Sequence, residues 1–129
     1  MRAQQMYARV GIEAELETLA DSRHATAAVL HALRDRLTPE EAAHAAAQLP
    51  LELKTLWAGG RPALDRPLKL HRQEFLERVR LEAGLTTIGQ AERVTDAVFA
   101  ALKEQLSEGE ADDIVAQLPR DLKRLWVRA

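Results

Sequence analysis

Residues 47–57, Ala47-Gln48-Leu49-Pro50-Leu51-Glu52-Leu53-Lys54-Thr55-Leu56-Trp57, return at an offset of 69 as Ala116-Gln117-Leu118-Pro119-Arg120-Asp121-Leu122-Lys123-Arg124-Leu125-Trp126. Working outward from this stretch, residues 6–57 align on 75–126 without a gap, and 22 of the 52 pairs are identical. Self-similarity on this scale predicts two copies of one structural unit. Repeat one spans about 3–58, a linker about 59–70 and repeat two about 71–129.

Each copy reads as four helices. The first runs near 3–16 and 72–83, where Phe75, Leu76, Val79 and Ala83 form a stripe and Gly84 suits a left-handed C-cap. The second runs near 23–37 and 91–106. Ala25, Ala28, Val29, Ala32 and Leu33 share one face, as do Val94, Ala97, Val98, Ala101 and Leu102. The third opens on Thr38 with Glu41, and on Ser107 with Glu110, the spacing of a reciprocal capping box. Pro39 suits the first helical position. The predicted buried face is Ala42, Ala45, Ala46 and Leu49, matched by Ala111, Ile114, Val115 and Leu118. Pro50 and Pro119 end that helix and open a short fourth one, held by Leu53, Leu56 and Trp57 or by Leu122, Leu125 and Trp126.

Composition agrees. The 23 Ala and 20 Leu far outnumber the 17 Val, Ile and Thr, which favours helix over strand. The expected fold is all-α. Two tandem four-helix repeats, with the second and third helices supplying most of the core, pack about a pseudo-two-fold axis as one domain over 1–129. A half of about 55–60 residues would be marginal alone. The linker Ala58-Gly59-Gly60-Arg61-Pro62-Ala63-Leu64-Asp65-Arg66-Pro67 is broken by two Gly and two Pro.

Charge and composition narrow the function. Eighteen Lys and Arg against 20 Asp and Glu argue against a general nucleic-acid coat. The absence of Cys removes disulfides, thiolate nucleophiles and zinc ribbons. No stretch approaches the roughly 18 apolar residues of a membrane span, and Glu13, Glu15 and Glu17 interrupt any apolar leader core. A cytoplasmic protein is expected, with no membrane partner.

The run Ser107-Glu108-Gly109-Glu110-Ala111-Asp112-Asp113, followed by Ala116-Gln117-Leu118-Pro119 and Asp121-Leu122-Lys123-x-Leu125-Trp126, resembles the core of domain-of-unknown-function family 2267. Phe75-Leu76-x-Arg78-Val79 resembles its upstream helix. The resemblance covers nearly the whole chain. Copy one departs from it, with Thr38-Pro39-Glu40-Glu41-Ala42-Ala43-His44 in place of the acidic run. It implies a small prokaryotic all-helical protein and carries over no reaction, cofactor or site residue.

Candidate chemistry is sparse. Glu108, Glu110, Asp112 and Asp113 suggest a divalent-cation site, but the capping box and the helix macrodipole account for acidic residues there. His24, His31, His44 and His71 lack paired metal-ligand spacing and read as solvated; His31 with Asp35, and His44 with Glu40, are possible surface pairs. Ser22 and Ser107 are the only serines, and neither sits in a nucleophile elbow. No catalytic, cofactor or metal residue is therefore expected. The favoured reading is a non-catalytic module acting through contacts with a protein partner that the sequence does not name. Possible contacts are Arg120, Lys123, Arg124 and Trp126, with Trp126 weighed both as a buried anchor and as a partly exposed one. The alternative is phosphate or nucleic-acid binding through the basic final helix; basic residues gather also in Arg61, Arg66, Lys69 and Arg72. Oligomeric state is left open.

Overall fold

The computed structural model describes residues 3–60 and 66–129; Arg61 and the centre of the predicted linker lie outside the described residues. Among these, the chain forms eight helices and no strand: α1 (Ala3–Ala14), α2 (Leu19–Arg36), α3 (Pro39–Ala47), α4 (Leu51–Ala58), α5 (Arg72–Ala83), α6 (Ile88–Gln105), α7 (Glu108–Ala116) and α8 (Arg120–Arg128). All-α is the observed class.

Local chemistry sets the boundaries. The second helix of each half starts earlier than its apolar stripe suggests, because Thr18 and Thr87 cap it, accepting from the amides of Asp21 and Gln90. Pro39 occupies the first turn of α3, and Pro50 and Pro119 are the N-caps of α4 and α8. Gly84 ends α5 with φ 69°, the left-handed cap expected there. Glu15 stands at the equivalent place after α1 and adopts φ 55°, although it carries a Cβ.

The helix contacts come in exchanged sets. α1 lies on α6 and α5 on α2, α4 lies on α2 and α8 on α6, while α2 meets α6 and α3 meets α7. One contiguous apolar cluster draws on both halves. Met6, Tyr7 and Val10 of α1, Phe75, Leu76 and Val79 of α5, and the predicted stripes of α2 and α6 are all buried in it. The third helices contribute less than expected. Ala45 and Ile114 are the buried apolar residues within α3 and α7, whereas Ala42, Ala46, Ala111 and Val115 are only partly covered. The first and second helices, not the second and third, make the centre. The reason is length: helices of 9 residues cannot cover the face of an 18-residue neighbour, whereas those of 12 residues cover most of it.

Candidate functional site

α3 and α7 meet with the N-cap of each against the C-cap of the other. Thr38 and Ser107 cap these helices as predicted, accepting from the amides of Glu41 and Glu110. The other half of the capping box does not form. The Thr38 amide donates instead to Gln117 Oε1 at 2.9 Å, and the Ser107 amide to Gln48 Oε1 at 2.8 Å. Each Gln also donates to the cap hydroxyl, at 3.3 Å from Gln117 and 3.2 Å from Gln48. Each half therefore caps the other, and Glu41 and Glu110 are released from the role the sequence suggests for them.

Both carboxylates are buried, with Glu41 8% and Glu110 7% exposed. One oxygen of each, Glu41 Oε2 and Glu110 Oε2, has no hydrogen-bond partner. Orphaned buried carboxylate oxygens are costly and call for a compensating group. Burial, then the Glu41 carboxyl beside it, with Asp113 adding its charge, push the Glu110 carboxyl up to about 7. His44, one helical turn beyond Glu41, completes a group whose ligand atoms all lie within 4.8 Å of one another. His44 is exposed and stands at the rim of this site. Chemically, such a group holds a proton between two carboxyls or binds a cation in its place. Asp112 and Glu108, grouped with Glu110 by sequence, lie outside the cluster.

A second polar cluster ties α2 to α5. Arg34 donates to Asp35 and to the carbonyls of Trp57 and Gly59 at 2.7 and 2.8 Å, and Arg78 reaches Asp35 from α5. Although burial pushes the Asp35 carboxyl up, the two arginines hold it below its ordinary value. His31 is not solvated as expected. Its Nδ1 lies 2.6 Å from Glu82 and its Nε2 2.6 Å from the Leu56 carbonyl, and it is buried. The spacing to Asp35 misled, because α5 covers this face of α2. Burial raises and the His31 hydrogen bond lowers the Glu82 carboxyl, which ends below its ordinary range. Neither Arg34 nor its counterpart Lys103, which donates to the Trp126 carbonyl at 2.7 Å and to that of Ala129, stands out by charge or spacing within its own helix. The offset of 69 would have paired them, and cations at helix C-termini satisfy the last carbonyls.

The predicted contact residues separate. Arg120, Lys123 and Arg124 are exposed on α8, and Arg120 and Arg124 line a shallow groove of about 240 Å³ with His71 and Asp121. Trp126 is 3% exposed, its ring 5.0 Å from that of Phe99 on α6. The reading of Trp126 as an exposed anchor is thus corrected: a short helix needs its largest apolar side chain to hold it down.

The acidic α7 turn, the Phe75-Leu76-x-Arg78-Val79 helix and the Trp126 anchor now stand in one fold. The chain belongs to the family described as uncharacterized conserved protein (DUF2267), whose model matches residues 3–125. No curated protein matches this DUF2267 chain. No helix among its described residues is long and apolar enough to cross a membrane.

Proposed function

We propose that this DUF2267 protein is a non-catalytic helical module that acts by docking a protein partner along α5. The observation that carries this reading is a groove of about 670 Å³ on that helix, lined by Leu81, Ile88, Arg78 and the three carboxylates Glu74, Glu77 and Glu82. Leu81 is 65% exposed, an apolar side chain in water with acidic neighbours. An apolar floor with an acidic rim, in which Glu77 already shares Arg80 and Glu82 already shares His31, complements an amphipathic helix whose polar edge is basic. Titrating the protein with a synthetic Leu/Lys amphipathic peptide tests this by fluorescence anisotropy. Binding should weaken about tenfold for Leu81→Glu and for Glu77→Lys, each such loss matching a buried anchor or rim contact. Equal affinity for a Leu/Glu peptide of the same length, or no effect of either substitution, overturns it.

The second reading, phosphate or nucleic-acid binding, is favoured by one observation, the exposed Arg120, Lys123 and Arg124 on α8. Asp121 in the same groove weighs against it. Affinity for a DNA duplex that falls steeply with salt, and falls further in Arg120→Ala and Arg124→Ala, would establish it.

A further inference from the structure

The trans-capping of α3 and α7 leaves a site that the docking groove does not use. Glu41 and Glu110 face each other from the two helices, each nine-tenths buried and each with an oxygen whose one protein neighbour able to satisfy it is the facing carboxyl, and then only when protonated. His44 brings an imidazole nitrogen to within 4.8 Å of both carboxylates, and it lies on the exposed side. We propose that Glu41, Glu110 and His44 form a binding site for a divalent transition cation of the Zn²⁺ class, clamping α3 to α7.

The donor set sets the class. Two carboxylates and one imidazole suit Zn²⁺ and its neighbours, whereas Mg²⁺ prefers an all-oxygen shell that keeps its waters. Bonds of about 2.0–2.2 Å put ligand atoms roughly 3.3 Å apart. The three ligand atoms, now within 4.8 Å of one another, must draw together on the ion to reach that spacing, and the exposed His44 side chain is the freest to move. The fourth position falls to water or to Asp113, the exposed residue equivalent to His44 on α7. A cation there supplies the charge that two orphaned buried oxygens lack, and it joins the halves where the glutamines already cross. The site belongs to neither half alone, so it forms only in the assembled fold.

The test uses the full chain, freed of metal with chelator, dialysed, then titrated with ZnCl₂ by calorimetry and melted with and without Zn²⁺. One Zn²⁺ per chain and a melting temperature that climbs with its concentration are expected, since a ligand that binds only the folded state stabilises it. His44→Ala, at an exposed position that leaves folding intact, should weaken binding at least tenfold. Glu110→Gln should abolish it, while Asp112→Asn on the same helix should leave it unchanged. Mg²⁺ at the same concentration should give no shift. Circular dichroism of each metal-free variant separates loss of the site from loss of the fold, with Glu41→Gln as the second carboxylate variant. Absence of a saturable Zn²⁺ heat, or binding that persists in both His44→Ala and the carboxylate variants, overturns the proposal and leaves a proton as the pair's occupant.

Discussion

Arg78–Asp35 and Arg9–Glu104 join matched helices in exchanged order, α5 to α2 and α1 to α6, but their surroundings differ. The Asp35 side chain is 2% exposed and that of Glu104 52%. Around the first pair stand Arg34, His31 and Glu82, and Leu68 of the connecting segment donates to the Asp35 carbonyl at 2.7 Å. Around the second, the position of His31 is held by Ala100, and Arg9 divides itself between Glu104 and Glu13 at the surface. The same residue pattern therefore yields a buried network on one side and a solvated pair on the other. Cover, not the identity of the charges, decides what each is worth, because water screens an exposed pair and a buried one must be satisfied internally.

Equivalence should be strongest where both halves bury the same side chain. Trp57→Ala and Trp126→Ala should each cost about 3–5 kcal/mol in urea unfolding, from lost burial and the cavity left behind. A loss under about 1 kcal/mol at either position would break the comparison and place that indole outside the core.

The charged pairs should diverge. Asp35→Ala strands two arginines in the interior and should cost about 3 kcal/mol. Glu104→Ala removes a surface partner and should cost less than about 1 kcal/mol. Equal losses in the two variants would show that burial does not separate the networks.

The pH profile sharpens the contrast between this network and the carboxyl pair. Glu110, facing Glu41, Asp113 and the His44 ring, has its carboxyl raised to about 7. A raised folded-state value means that the protonated form is favoured on folding. Its stabilisation is full below the ordinary Glu value and is lost as pH rises towards 7. Asp35 and Glu82, both lowered, lose theirs only as pH falls through the acid range. In chelator, the wild-type melting temperature should fall by about 5 °C relative to Glu110→Gln between pH 5 and pH 8. Parallel profiles would show that Glu110 is ionised in the folded chain throughout.

The smallest effect concerns the turns after α1 and α5. Glu15→Gly should stabilise by about 1 kcal/mol by relieving a left-handed backbone that carries a Cβ, and Gly84→Ala should destabilise by about the same. Differential scanning calorimetry resolves both, and opposite signs are the outcome that the two φ angles require.

The sequence by itself determined the helices, because their signals are local. Apolar spacing, Thr38 and Ser107 as caps, Pro39 in the first turn and Gly84 at the end act within a few residues, and all four features stand where expected. It also marked Trp57 and Trp126 as anchors of short helices that cannot hold themselves. The earlier starts of α2 and α6 were legible too, in Thr18 and Thr87, had caps been weighed above apolar spacing. Tertiary structure alone decided which polar residues matter. Glu41 and Glu110 read as cap residues until Gln117 and Gln48, distant in sequence, took the amides they were to accept from. His31 read as solvated until α5 covered it. The physical reason is that a polar side chain has many possible partners of similar strength, and its choice depends on which of them lose water together when the halves meet.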